Sequence, residues 1–369
     1  MEKAYKYRIY PNKEQRILIA KTFGCCRFVY NYYLDKRIQS YKENKTSLNY
    51  YDCCKDLTSL KKKLEWLKEP DKCSLQNSLK DLDHAYQKFF KEHSGFPKFK
   101  NKKTHRFSYR TQNYNNGTAI QFLNNHIKLP KLGLVKTRDK QIPQGRILNA
   151  TISQEPSGKY YCSICCTDVE IQSLPQTNNQ VGVDLGIKDF AITSDGVKYS
   201  NPKYLQQSLN KLAKLQRELS RKTRGGSNWN KARIKVARQY EKIANQRKDY
   251  LQKLSTELIR ENDIICIENL SISKMIQENK TNMRRNIGDV SWYEFTRQLQ
   301  YKADWYERKI IKVDKYFASS QTCNCCGKKY PTTKDLGVRE WICPNCKSVL
   351  DRDINAAINI LNEGLKQIA

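Results

Sequence analysis

The sequence predicts an α+β multidomain chain: a small β-barrel split by a helical block, then an α/β half carrying a cysteine-rich insert. Three observations predict it. Short alternating apolar runs between Asn, Gly and Pro turns fill residues 107–180, and one more such run stands at 4–10. Stretches with helical apolar spacing occupy much of 12–93. Beyond 180, apolar strands alternate with long helical segments, as in α/β domains.

Taken in order, AYKYRIY (4–10) alternates like a strand and stops at Pro11. A long helix follows, with Asn12 as its N-cap and an acid in its first turn. Tyr50–Lys68 and Ser74–His93 read as two further amphipathic helices, separated by the breaker Glu69-Pro70-Asp71. Strands are expected at Phe107, Ala119, His126, Arg146 and Lys159, with the strand at 4–10 returning to join them. QSLPQTNNQ (172–180) reads as a polar linker. A hairpin (181–185 and 188–193), two basic helices (203–220 and 229–260) and the buried strand DIICIENL follow. A helix at about 291–308, the strand KIIKVD, the cysteine module and the helix DRDINAAINIL complete the chain.

With 68 Lys and Arg against 37 acidic residues, the net charge is +31, spread along the whole length. A folded chain this basic is expected to bind a polyanion, and nucleic acid is the commonest one. Its 23 tyrosines suit stacking on bases, although they suit ordinary packing equally. No apolar run is long enough for a membrane span, and MEKAYKYRIYPNKEQ lacks a signal-peptide core. Fourteen cysteines, several adjacent, point to a reducing cytoplasm rather than a secreted disulfide framework.

Three carboxylates sit in apolar sequence: Asp184 in VGVDLG, Glu268 in ICIENL and Asp353 in DRDINAA. Each alone has an ordinary explanation, as a turn cap, an ion-pair partner or a helix N-terminal acid. Together, in so basic a chain, they suggest a Mg²⁺ centre. Two such ions ~4 Å apart clamp a phosphodiester for in-line hydrolysis.

The spacing C-x₂-C-x₁₆-C-x₂-C at Cys323, Cys326, Cys343 and Cys346 is that of a four-thiolate Zn²⁺ site. Cys325 has the wrong spacing and reads as a bystander, though it leaves another pairing in the first knuckle open. Nucleic-acid contacts are weaker candidates. Lys98, Lys100, Lys102 and Lys103 in KFKNKKTHR, Arg221 and Arg224 in SRKTRGG, and Arg352 are candidate phosphate contacts. Tyr51, Lys72, Gln76, Thr111, Gln112 and Asn113 are candidates for reading bases. The four histidines have no ligand spacing.

The stretches YKYRIYPNKEQ, FGCCRFVYN, GFPKFK, GVDLGIKDFA, IENLSI, SSQTCNCCG, WICPNC and DRDINAAINI run in the order found in one family. In these the chain resembles TnpB, the RNA-guided nuclease of bacterial insertion sequences and ancestor of type V CRISPR effectors. The resemblance implies a wedge β-barrel (1–10 and 107–180) with an inserted helical recognition lobe (11–106). It implies next an RNase H-like RuvC domain (181–318 and 348–369) with an inserted zinc ribbon (319–347). By position it makes Asp184, Glu268 and Asp353 the catalytic acids holding two Mg²⁺ ions, and the four cysteines the ligands of one Zn²⁺. The implied partners are a guide RNA from the transposon end and double-stranded target DNA, with a monomer and a cytoplasmic, nucleoid-associated location expected. Two departures stand beside Asp353: Leu350 where relatives often have His, and Lys347 where Gly is common. The competing functions are a transposase or accessory protein acting on element ends, and a guided DNA-binding repressor. An intact acid triad speaks against the repressor, and the scattered histidines speak against a single-strand transposase.

Overall fold

A computed structural model describes residues 1–103, 107–334 and 337–368. They fall into two compact units, Met1–Glu170 and Ile171–Ala369. Residues 104–106 of the basic stretch KFKNKKTHR lie outside the described residues.

The first unit contains β1 (Lys3–Tyr10), α1 (Lys13–Asn44), α2 (Tyr50–Lys63), α3 (Lys72–Lys91), β2 (Phe107–Gln112), β3 (Gln121–Leu123), β4 (His126–Leu129), β5 (Gly133–Thr137), β6 (Arg146–Gln154) and β7 (Tyr160–Thr167). Alternation explains β1: Tyr5, Tyr7 and Ile9 are buried, while Lys6 and Arg8 face outward. It pairs antiparallel with β7 (Tyr7 opposite Cys162) and β5 (Ile9 opposite Thr137), so the helices are an insertion between the first strand and its neighbours. The sheet runs β2-β6-β7-β1-β5-β4-β3. β2 and β3 are the two ends of that order, so the hydrogen bonding recorded among the described residues does not return on itself. Strand β5 escaped the sequence reading because only Val135 and Thr137 of its five residues are buried.

Helix α1 starts where expected. Asn12 Oδ1 accepts from Gln15 N (2.8 Å) and Gln15 Oε1 from Asn12 N (3.0 Å), a reciprocal cap. Its buried stripe brings Phe23 to 5.8 Å, centroid to centroid, from both Phe107 and Tyr109 of β2. The expected second helix ends earlier, at Lys63, and a short 3₁₀ turn, Glu65–Lys68, follows it.

The second unit contains β8 (Gln180–Leu185), β9 (Asp189–Thr193), β10 (Lys198–Ser200), α4 (Tyr204–Ser220), α5 (Ser227–Glu261), β11 (Ile264–Glu268), α6 (Ile272–Glu278), α7 (Thr281–Val290), α8 (Trp292–Tyr306), β12 (Lys309–Val313), β13 (Glu340–Ile342), β14 (Val349–Asp351) and α9 (Arg352–Leu365). Its main sheet runs β10-β9-β8-β11-β12. β8 and β9 form the expected hairpin, and β8, β11 and β12 are parallel.

Period-2 alternation sorts the side chains of these strands onto two faces. Val181, Val183, Leu185, Ile265 and Ile267 pack with Leu254 and Leu258 of α5 and Trp292, Phe295 and Leu299 of α8. Cys266, Ile311 and Val313 pack with Ile360 of α9 on the other face. Gly182 lies on that second face because α9 passes there at backbone distance: a Cβ at 182 would meet Ala357 O at 2.1 Å.

The polar stretch 172–180 belongs with this unit. Asp263 accepts from Thr177 N, Thr177 Oγ1 and Asn178 N, and buried Arg308 donates to Pro175 O. Among the described residues no helix is long and apolar enough to cross a membrane.

Candidate functional site

Strand register brings two of the acids together. Val183 of β8 pairs with Ile267 of β11, and both are fixed on the α5–α8 face. Asp184 and Glu268 follow immediately, so both point to the α9 face, on strands ~4.8 Å apart. Asp353 lies in the first turn of α9, the helix whose Ala357 and Leu361 touch Gly182.

The three acids also act on one another electrostatically. Burial pushes the Asp184 carboxyl well above the usual range, and the negative charges of Glu268 and Asp353 push it further; Arg352 acts the other way. Burial also raises Glu268, against the opposing hydrogen bond from Ser319 Oγ to Glu268 Oε1 (2.7 Å). Asp353 is held from two sides, by Arg352 Nη1 (3.2 Å) and Arg339 Nη1 (3.1 Å). The N-cap of α9 is Asp351 rather than Asp353. Asp351 Oδ1 accepts from Asp353 N and Ile354 N, which leaves the Asp353 side chain free of capping duty.

The cysteine module is built from two matching knuckles. Gly327 N donates to Cys323 O (2.8 Å) and Lys347 N donates to Cys343 O (2.9 Å). The four thiols of Cys323, Cys326, Cys343 and Cys346 lie within 4.8 Å of one another, the one such group among the described residues. Sulfur separations of 3.6 Å between Cys323 and Cys346 and between Cys326 and Cys343 are far from a disulfide. They approach the ~3.8 Å edge of a tetrahedron with metal–sulfur bonds of about 2.3 Å. Burial pushes the Cys323 thiol up to about 12. Burial also acts upward on Cys343, but backbone N–H groups of Cys346 and Asn345 outweigh it and hold that thiol at about 6. The group can therefore hold a metal ion. Cys325 is exposed and outside it, and Leu350 pairs with Trp341 to floor the module.

The candidate nucleic-acid contacts divide by burial. Tyr51, Lys72, Gln76, Lys98, Lys102, Lys103, Gln112, Arg221 and Arg224 are exposed. Lys100 is half-buried, its ammonium 3.9 Å from the Tyr30 ring centroid. Three candidates are spent on the fold. Thr111 is buried and donates to Asp71 Oδ2 (2.6 Å). Asn113 closes the 113–120 turn, accepting from Ile120 N and donating to Gly117 O and Ile147 O. Arg352 is buried, donating to Thr333 O and Asp353. Sequence alone gave each a polar surface position because nothing local marks its distant partner. Ser319 and Arg339, which hold two of the acids, were missed for the same reason.

Three family profiles match the chain: "Helix-turn-helix domain" over 1–46, "Probable transposase" over 163–279 and "Cas12f1-like, TNB domain" over 292–360. Residues 1–46 here form one strand and one continuous helix. A Streptomyces pristinaespiralis protein named "Putative RNA-guided DNA endonuclease" is 37% identical over 373 residues, covering 99% of this chain and 90% of its own length. "Putative RNA-guided DNA endonuclease InsQ" of Escherichia coli (strain K12) is 33% identical, with 98% and 92% covered. "TnpB-like protein L79" of Acanthamoeba polyphaga mimivirus is 29% identical over 53% of this chain and 39% of its own. Identity of this level, sustained from end to end, shows that the chain belongs to the TnpB family.

Proposed function

We propose that the chain is an RNA-guided DNA endonuclease in which Asp184, Glu268 and Asp353 hold two Mg²⁺ ions and Cys323, Cys326, Cys343 and Cys346 hold one Zn²⁺. What supports the reading is the strand register that turns Asp184 and Glu268 to the α9 face, with Asp353 in the first turn of α9 and the charges of Glu268 and Asp353 acting on Asp184. A cluster of like charges in a half-buried site is relieved by cations. The donors fit: carboxylate oxygens suit Mg²⁺, and four thiolates in a closed tetrahedral group suit structural Zn²⁺. Asp184, Glu268 and Asp353 would hold the Mg²⁺ pair, which would supply activation of water and stabilisation of the departing 3′ oxygen of a DNA strand.

The chain's own residues orient that centre. Ser319 fixes one oxygen of Glu268, and Arg339 and Arg352 fix both oxygens of Asp353. The β10-β9-β8-β11-β12 order, with β8 and β9 antiparallel and β11 and β12 parallel to β8, supports an RNase H-type RuvC domain. The seven-stranded sheet is the wedge barrel in this reading, α1–α3 the recognition lobe and 319–347 the ribbon.

Two relatives named as putative RNA-guided DNA endonucleases support RNA and DNA as partners; in this reading the RNA is transcribed from the element's end. Pairing between RNA and DNA then selects the sequence, so a net charge of +31 is needed chiefly for backbones.

The test combines protein, RNA transcribed from the element end, Mg²⁺ and a duplex matching the RNA. Wild type is expected to cut the duplex. Asp184→Ala is expected to lose cleavage while retaining RNA and DNA binding. Joining of donor ends instead of cutting would favour the transposase named in the profile over 163–279.

A further inference from the structure

One cation on the second unit's main sheet is aimed at the helix that carries Asp353. Asp184 of β8 lies opposite Ile192 of β9, and Ile192 lies opposite Lys198 of β10. Directly opposed residues share a face, so Lys198 stands two strands from Asp184 on the α9 side, about 10 Å away. Its ammonium donates to Asp351 Oδ2 at 2.6 Å, a link between residues 153 positions apart. The other oxygen of Asp351 caps α9, accepting from Asp353 N and Ile354 N, both at 3.0 Å. The turn before Lys198 seats on the same place: a Cβ at Gly196 would stand 3.9 Å from Ile354 Cδ1. Asp351 is thus held at both oxygens, by β10 on one side and by its own helix on the other.

We infer that Lys198 is a positioning residue for the acid centre: its ion pair with Asp351 ties the sheet bearing Asp184 to the first turn of α9, and so sets Asp353 at its distance from Asp184. The inference rests on the reading above of these acids as metal holders. Carboxylates on two different elements serve one metal centre only if their separation is fixed to about 0.5 Å. Arg339 and Arg352 orient the Asp353 carboxylate itself. Lys198 acts instead on the Asp353 backbone, through the cap, from a strand of the sheet. The pair also commits Asp351: with one oxygen on the helix amides and the other on Lys198, this fourth carboxylate stays on capping duty beside the three acids. The Lys198 and Asp351 side chains are 44% and 27% exposed, so their pairing contributes little to overall stability. Its effect is local, at Asp353.

Three measurements on the RNA-loaded protein decide it. In the first, hydrogen exchange is followed at the Asp353 and Ile354 amides, in peptides spanning 351–356. Lys198→Met is expected to speed their exchange by up to roughly tenfold, the scale of a weakened helix cap, while the melting temperature holds. In the second, the Mg²⁺ concentration for half-maximal cutting is expected to rise roughly tenfold in Lys198→Met, as when a support of a metal-binding carboxylate is removed. Lys198→Arg, which also donates to a carboxylate, is expected to match wild type in both. Unchanged exchange, an unchanged Mg²⁺ midpoint, or an arginine variant as impaired as methionine overturns the inference. So does faster exchange throughout the protein with a lower melting temperature. The third measurement uses an Asp351→Asn background, which keeps an oxygen for the cap and loses the ion pair. There Lys198→Met is expected to change neither quantity further. A further loss of cutting in that background would mean that Lys198 acts on DNA directly, and overturns it too. A wild-type protein that cuts no DNA defeats the nuclease reading instead, and the exchange result still decides the link.

Discussion

Ser319 Oγ donates a 2.7 Å hydrogen bond to Glu268 Oε1, although the two residues are 51 positions apart. Ser319 is itself pinned: its backbone O accepts from Asn359 Nδ2 of α9 at 2.8 Å. Removal of such an outer support of a metal-binding carboxylate typically costs about 10- to 100-fold in metal affinity or activity. Ser319→Ala should therefore raise the Mg²⁺ concentration needed for half-maximal cutting by such a factor. A Mg²⁺ titration of cleavage by wild type and variant checks it, and an unchanged midpoint would deny Ser319 this role.

Gly182 sits where α9 leaves no room for a side chain, with Ala357 O at 2.1 Å and Leu361 N at 2.8 Å from an added Cβ. Both obstacles are backbone atoms, which cannot swing aside. Gly182→Ala should destabilise the protein by about 3 kcal/mol or more and push α9 away from β8. Thermal melting reads the first effect. Cleavage, expected to fall further than the melting shift alone explains, reads the second.

Lys347 adopts a left-handed backbone (φ +63°), matching Gly327 (φ +72°) at the equivalent point of the other knuckle. A side chain costs roughly 1–2 kcal/mol in that conformation, partly offset by the extra freedom glycine has when unfolded. Lys347→Gly should stabilise the metal-loaded protein by up to about 1 kcal/mol. The readout is the chelator concentration at which zinc is released, expected to rise; release at lower chelator would contradict the strain account.

Lys302 is buried and donates to Ser255 Oγ (2.7 Å), Thr256 Oγ1 (2.7 Å) and Gln252 O (2.9 Å), joining α8 to α5. Burial, aided by the charge of Arg260, lowers its ammonium to about 8. The unfolded chain keeps that proton until near 10.4, so between those values it binds more protons than the folded one. Stability at this site therefore rises as pH climbs from 8 towards 10, by about 1–3 kcal/mol. Denaturant melts at pH 7.5 and 10 should show the rise in wild type and its loss in Lys302→Met, after subtraction of the shared background.

What the sequence made legible was whatever local periodicity or spacing carries. The hairpin after Gln180, the acid at the end of β11 and the four thiols were all visible as short patterns. Helices α6 and α7 were not, because α6 buries no residue and α7 only Ile287 and Val290, too few to mark a stripe. Polar side chains at Thr111, Asn113 and Arg352 looked available for nucleic acid, yet their partners lie 40, 34 and 19 residues away. A buried polar residue and a surface one read alike until the fold supplies its distant acceptor.

The cysteine-rich insert is bonded to Asp353 and to other residues of α9 at several points. Arg339 touches Asp353, Thr333 O receives buried Arg352, and Asn355 and Asn359 of α9 bond to Thr322 O. Trimming the insert to shorten the chain would thus strip supports from Asp353 and α9, which the proposed catalytic centre needs. Any miniaturisation has to begin elsewhere, at surfaces such as the 221–226 bend between α4 and α5, whose residues are all exposed.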